Sequence, residues 1–483
     1  MKSLWSDTVE LPRYPALEKN IKTQAVVIGA GMAGILTARR LLKRGIETVV
    51  IEASHIGSGQ TKNTTAKITS QHNVIYDSLI KKFGVEKARQ YALANESAVA
   101  EYHDLIMDNH IDCDYEQLPA YIYSKTCSEP LEREAEAALS LGINASFTTK
   151  TSLPFPVRGA LRFENQAQFH PLKFIKALAE NLSIYENTRA MKVEEHTVIT
   201  ERGSIQADHI VFATHYPFIN IPGYYFLRMH QERSYVIALE GADIPEGMYL
   251  GVDNDGLSFR GANGYLLLGG GSHRAGENSK GGQYDKLSEE AKRLYPGCRV
   301  AYRWSAQDCI TVDGVPYIGR YASDRPYWYT ATGFHKWGMS SSMVSAMLIS
   351  DMICGIESPY SEVFTPQRFN IPNSAKNLKT EVTQVVKGLS REIFKAPEIN
   401  VDHIPIGHGG IVEHADKKVG VYKSPEGRLY IVDIRCPHLG CQLEWNPDEL
   451  SWDCPCHGSR FNYEGKLIDN PAQTDLEADI TKS

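Results

Sequence analysis

The chain has 483 residues, 42% of them hydrophobic and 23% charged, with a formal net charge of −7. That length is room for about three domains at roughly 150 residues each, and the acidic balance excludes the basic footprint of a nucleic-acid binder. The opening MKSLWSDTVELPRYPALEKN lacks the apolar run of a signal peptide, and residues 339–354 are too short and too polar, with Asp351 and a run of serines, to span a bilayer. The expected compartment is the cytoplasm, with no membrane span.

The first readable stretch is QAVVIGAGMAGILTARRLLKRGIETVVIEAS. Residues 25–28 are small and β-branched, as a buried parallel strand requires. Gly29, Ala30, Gly31, Met32, Ala33 and Gly34 spell G-x-G-x-x-G, and Ile35, Ala38, Leu41 and Leu42 follow at helical spacing until Gly45. A second strand, 48–51, closes on Glu52, 18 residues after Gly34. Gly29 permits the tight turn, Gly31 leaves room for a pyrophosphate, and Gly34 lets helix and strand pack closely. The helix N-terminus then faces phosphates and Glu52 accepts from ribose hydroxyls. One dinucleotide site is therefore expected. The later LGGGSHRAG lacks both the spacing and the following helix, and reads as a hairpin.

The polar loop HIGSGQTKNTTAKITSQH comes next, where a nicotinamide domain would run straight into another βα unit. Here the chain resembles the flavoenzyme family of D-amino-acid oxidase and sarcosine oxidase. In that family such a loop runs beside the pyrophosphate and under the flavin, which implies roles for Gly59, Thr64, Thr65 and Lys67. Three later stretches fit the same order. In residues 169–215 a helix starts at Pro171, a strand spans 183–185, a turn at Ala190–Met191 implies a backbone contact to adenine, and a buried strand ends at Thr214. Then come TVDGVPYIGRY and TATGFHKWGMSSSMVSAMLISDMI. The last is a strand, a turn at Gly333 and a helix with an apolar face of Val344, Met347, Leu348 and Met352. Its start at Gly338–Met339 offers free N–H groups to the flavin. The resemblance implies non-covalent FAD, because the tethering cysteine of sarcosine oxidases aligns near Ala306. Ser340 stands where those enzymes have a substrate-binding lysine.

The last ninety residues contain DIRCPHLGCQLEWNPDELSWDCPCHGSRF. Cys436-x-His438 and Cys454-x-x-His457 are separated by 15 residues. Zinc is the competing reading, but zinc modules seldom space a ligand pair by a single residue. The loops resemble those of respiratory and photosynthetic Rieske proteins. The resemblance implies a [2Fe–2S] cluster with Cys436 and Cys454 on the inner iron and His438 and His457 on the outer. It also implies a Cys441–Cys456 disulfide clamping the loops and a hydroxyl from Ser459 to a sulfide. Histidine in place of thiolate raises the potential from about −400 mV to roughly −150 to +300 mV. Phe461 stands where a tyrosine bonds a ligand sulfur, so a value below the top of that range is expected.

The fold class expected is an α/β Rossmann-like FAD-binding domain with an interleaved antiparallel-sheet (α+β) substrate domain, plus a C-terminal all-β Rieske domain. The flavin domain takes about 20–84, 155–223 and 306–365; the substrate domain about 85–154 and 224–305, within 1–372; the linker 373–395; the Rieske domain 396–483. The activity expected is a dehydrogenase that oxidises a small amine or amino-acid-like molecule by hydride transfer to FAD. Single electrons then pass through the cluster to an acceptor protein or quinone. The alternative is an electron-transfer reductase feeding a partner oxygenase. An oxygenase in its own right is not expected, because no histidine follows His457 to hold a catalytic iron. His335, Lys336 and Lys67 are candidates near the flavin, and Arg233 is a candidate anchor for an acidic substrate.

Overall fold

The computed structural model describes residues 2–368, Thr383, 404–414 and 417–479. The expected linker, 373–395, and the first residues of the expected third domain lie outside the described residues, Thr383 excepted.

Two sheets share the first 368 residues. The N-terminal sheet is built on β1 (Ile21–Ile28), α1 (Met32–Lys43) and β2 (Thr48–Ile51). The strand β3 (Ser204–Phe212) pairs parallel to β1 on its other side. The order across this sheet is Tyr317–Arg320, Trp328–Thr332, β3, β1, β2, Ser183–Tyr185. Ala25–Ile28 of β1 and Val49–Ile51 of β2 are apolar because helices cover the sheet; Val27, Ile35 and Leu36 are at most 1% exposed.

The second sheet has nine strands. Its long edge pair is β4 (Met229–Glu240) against β5 (Arg299–Thr311). The pairing is antiparallel, as expected, with one parallel pair where Met248–Gly251 runs beside Glu116–Ser124. The strand Gly159–Gln168, inside the 155–223 expected of the flavin domain, also belongs here; it pairs with Glu116–Ser124. The expected start of the substrate domain at 85 falls beside a kink at Gly84 (φ 83°) in the helix Tyr76–Asp108, where a left-handed residue breaks the ladder.

The helix Gly338–Ile353, α2 from here on, does not have the single apolar face that its pattern suggested. Ser340, Ser341, Ser342, Ser345 and Ser350 are all at most 3% exposed. Several return their hydroxyls to the helix itself, as Ser345 does to the Ser342 carbonyl at 2.7 Å, which removes the cost of burying them. Among the described residues no helix is long and apolar enough to cross a membrane.

The C-terminal residues form two four-stranded sheets. One contains Gly409–His414, Lys417–Lys423 and Leu429–Asp433. The other runs Glu444–Asn446, Ser451–Asp453, Arg460–Asn462 and Leu467–Asp469. Trp452 and Phe461, paired across it, are fully buried.

Candidate functional site

A cavity of about 1290 Å³ opens where the two large sheets meet, larger than the roughly 300–1,000 Å³ of an ordinary small-molecule pocket. Gly29, Gly31, Met32 and Ala33 line it from the start of α1. A Cβ at Gly29 would lie 2.5 Å from the Ala213 carbonyl oxygen, and one at Gly34 would lie 1.8 Å from that of Gly29. Gly34 and Ala30 are therefore packing positions behind the lining. Glu52 lines the cavity and accepts from the amides of Ala30 and Ser54, both at 2.9 Å. Burial raises its carboxyl above the usual range.

Gly59, Thr64, Thr65 and Lys67 all line the same space. Their loop is pinned by residues that carry no recognisable motif. The Thr61 hydroxyl accepts from the Met32 amide at 3.0 Å, the Trp5 indole donates to the Thr64 carbonyl at 2.7 Å, and the buried Arg260 guanidinium donates to the carbonyls of Thr65 and Ala66. Lys67 spends donors on the Tyr249 carbonyl (2.9 Å) and the Ser258 hydroxyl (2.8 Å). Burial, with Arg260 adding, lowers its ammonium to about 7. Thr214, Gly338 and Met339 line the cavity as expected positions. Met191 does not: it is 42% exposed, and Thr188, Arg189 and Ala190 take its place. Gly333 does not either; a Cβ there would lie 2.3 Å from Thr311 Cγ2, so its glycine serves strand packing. Ser340 faces His72 at 2.9 Å, away from the cavity.

The roof is the β4–β5 pair, and its two faces do different work. A strand's side chains alternate. Glu232, Ser234, Ala306 and Asp308 line the cavity; Gln307 also borders it, but its side chain, like those of Gln231 and Arg233, reaches the C-terminal domain. Arg233 donates to Gln307 Oε1 at 2.9 Å and to Ser305, and lies 3.3 Å from Glu449. It is 1% exposed, its two terminal nitrogens are committed to these partners, and it does not line the cavity, so the structure does not bring it to the expected anchoring position. The cavity face instead carries the cross-strand pair Glu232–Asp308, which the sequence reading missed. Lys336 sits 3.4 Å from Glu232 and 3.8 Å from Asp308, and donates to Ser272 at 2.6 Å. His335 bonds the Thr311 hydroxyl at 2.8 Å; burial lowers its imidazole to about 4, so it is neutral.

At the far side of β4 and β5, the loops 436–441 and 454–459 converge. Cys436 and Cys454 are each 1% exposed, and hydrogen bonding between their sulfurs, with burial opposing, lowers the Cys436 thiol. The rings of His438 and His457 are 4.9 Å apart at 89°. His438 Nδ1 is buried with no hydrogen-bond partner among the described residues. Burial lowers that imidazole to about 4, so it is held in the neutral form that a metal takes. Cys441 and Cys456 are joined as a disulfide. The sulfurs of Cys441, Cys454 and Cys456 lie within 4.8 Å of one another, but a disulfide sulfur has no thiolate to give. Two thiols and two imidazoles remain, a donor set that fits a Rieske cluster. Ser459 accepts from the Ala472 amide at 3.0 Å and reaches Cys436.

The two halves are docked. His438 Nε2 donates to Asn220 Oδ1 at 2.8 Å, and Phe226 meets the edges of both histidine rings. Asn470 donates to the carbonyls of Thr214 (2.8 Å) and Tyr216 (2.7 Å). Leu467, Ile468, Asp469 and Asn470 themselves line the large cavity.

Comparison with known proteins agrees with this geometry. The family described as FAD dependent oxidoreductase matches residues 24–352, and the Rieske [2Fe-2S] domain matches 397–478. Protein YhfW of Bacillus subtilis (strain 168), whose name describes a Rieske 2Fe-2S iron-sulfur protein, is 36% identical across 98% of this chain and 96% of its own. Gamma-glutamylputrescine oxidoreductase of Escherichia coli (strain K12) is 22% identical over 71% of this chain and 86% of its own. The solved glycine oxidase of Geobacillus kaustophilus superposes with a TM-score of 0.62 at 18% identity, covering 72% of this chain and 99% of that one.

Proposed function

Because the chain belongs to the FAD dependent oxidoreductase family and carries a Rieske [2Fe–2S] domain behind it, we propose that it is a dehydrogenase of a small amine or amino-acid-like substrate. The substrate gives hydride to FAD, and single electrons leave through the cluster to an external acceptor protein or quinone. One observation carries the reading: the loop bearing His457 is hydrogen-bonded to the same β4–β5 pair that roofs the flavin cavity. FAD supplies a two-electron oxidant and the cluster a one-electron relay.

The chain's own residues divide the remaining work. Gly29, Gly31, Met32, Ala33 and Glu52 hold the dinucleotide, with Gly59, Thr64 and Thr65 beneath it. The start of α2 directs its free N–H groups into the cavity, where they favour negative charge. Cys436, Cys454, His438 and His457 hold the cluster. Glu232 and Asp308 seat a substrate ammonium, and Asp308 takes its proton. The cytoplasm is the proposed setting; Cys441 and Cys456 are each 1% exposed, which shields their disulfide from thiol exchange.

Anaerobic reduction with a panel of amines and amino acids tests the reading, with flavin and cluster bands followed separately. Flavin bleaching ahead of the cluster is expected. Reduction by NADH alone would replace it with the reductase. The proton role has its own test. Burial, against the pull of Lys336 and with Glu232 adding, pushes the Asp308 carboxyl up to about 6. A base must be ionised to act, so the rate of flavin reduction rises with pH through about 6. Asp308→Asn removes that limb and slows reduction on the order of 100-fold. An unchanged pH profile would discard Asp308 as the base.

A further inference from the structure

We propose that Gln307 and Gln231 form the conducting link between the flavin cavity and the outer ligand loop of the cluster. This rests on the reading above, in which electrons pass between the two sites within one chain.

Gln307 touches both sides. Its backbone N–H donates to Gln60 Oε1 at 2.8 Å, and Gln60 lines the flavin cavity. Its side chain leaves by the opposite face of β5. There Nε2 donates to the Gly458 carbonyl and to Gln231 Oε1, both at 2.7 Å, while Oε1 accepts from Arg233 at 2.9 Å. Gln231 Nε2 in turn donates to the His457 carbonyl at 2.7 Å and the Asn470 carbonyl at 3.1 Å. The route from cavity loop to ligand loop is thus continuous through covalent and hydrogen bonds. Electron tunnelling decays far less steeply along such a route than across an unbonded gap.

Two further observations single these residues out. Gln231 is 1% exposed and Gln307 0%, and burying amides is costly unless every group is paired, as here. Gly458 has φ 81°, and a Cβ on it would lie 2.6 Å from Gln231 Cβ, so the ligand loop is seated directly on this side chain. Docking does not depend on the pair. Asp448 accepts from the amides of Gly282 and Gln283 at 3.0 Å, Tyr284 donates to Glu449 at 2.7 Å, and Arg274 donates to the Pro455 carbonyl at 3.1 Å.

Oxidation of one reduced flavin releases two electrons and two protons. The electrons cross singly, each reducing the cluster by one electron; an external one-electron acceptor removes each before the next, and the protons go to solvent.

The test uses the full chain loaded with both cofactors, the variants Gln307→Leu and Gln231→Leu, and flash photoreduction of the bound flavin with EDTA as donor. Cluster bleaching after the flash is expected to slow tenfold or more in each variant. The electron paramagnetic resonance spectrum of the dithionite-reduced cluster is expected to stay that of the parent, while the melting temperature falls modestly because the buried carbonyls of His457 and Gly458 lose their donors. Cluster bleaching at the parent's rate would overturn the link. Slowing accompanied by a changed electron paramagnetic resonance spectrum would assign the glutamines to holding the ligand loop in place and also overturn it. A parent chain whose flavin is reduced while its cluster stays oxidised would overturn the intramolecular reading itself, a result distinct from both.

Discussion

Replacing His438 with alanine is expected to empty the chain of iron and acid-labile sulfide while leaving its flavin bound. The imidazole Nδ1 of this residue is buried without a partner among the described residues, and burial holds the ring neutral. Buried polar atoms are otherwise nearly always hydrogen-bonded, so the orphan nitrogen marks a missing ligand. The opposite ring nitrogen is already committed to Asn220, which fixes the ring's orientation as an outer partner of a metal ligand does. Loss of such an outer partner costs about 10–100-fold in metal affinity; loss of the ligand costs more, and the cluster does not persist. Electron delivery to an external acceptor then falls by more than about 100-fold, while a reducing substrate still bleaches the flavin. Iron and sulfide analysis of the purified variant gives the answer. Stoichiometric iron and sulfide in His438→Ala would refute the ligand assignment, and so would zinc in the parent.

Arg460→Met is expected to be strongly destabilising. Its guanidinium binds Asp453 at 3.0 Å, Asp469 at 2.9 Å and Glu449 at 3.4 Å. Burial alone would raise the Asp453 carboxyl, but Arg460, Arg233 and bonds from Asn446 and Ser451 outweigh it and hold it below the usual range. Asp469 is held low in the same way. Removing one partner of a buried ion group costs about 3–5 kcal/mol, because the remaining charges stay desolvated. The pH dependence has a definite sign. Carboxyls depressed in the folded state stabilise it above the ordinary aspartate range and cease to do so as pH falls through their folded values. The deficit of Arg460→Met is therefore largest at neutral pH and shrinks on acidification. Thermal unfolding from pH 7 down to pH 3 measures this; a deficit independent of pH would show that the network is not the cause. The same ion group joins the halves, since Glu449 and Asp469 also face Arg233. The variant is thus expected to loosen the seat of the ligand loop on β4.

The motifs that spacing alone exposes turned out to be those whose chemistry is settled within one turn of chain. The G-x-G-x-x-G run needs Gly29 at φ 108° and no Cβ at Gly34, demands that backbone sterics impose wherever the segment is placed. The pairs Cys436–His438 and Cys454–His457 are likewise local, since each loop must turn two donors toward one point. Met191 and Gly333 do not line the cavity, for a related reason. A turn identified to within a residue or two does not say which neighbour faces the ligand, and here Ala190 and Phe334 do.

Arg233 shows where local reading ends. Along β4 the alternation of side chains is plain, but the strand has two covered faces, and composition does not say which covers the flavin. Pairing with β5, some seventy residues on, sets Glu232 beside Asp308 on the cavity face and leaves Arg233 beside Gln307 on the other. The third domain then buries that second face by bonding to it. Gln60, Asn220, Gln231 and Gln307 belong to no motif, because their roles exist only once partners more than two hundred residues away arrive: Gln231 at His457, Asn220 at His438. Order along the chain was enough to identify two redox cofactors. The bonded route between them is a product of long-range pairing, whose free energy comes from burying surfaces that no short stretch of sequence contains.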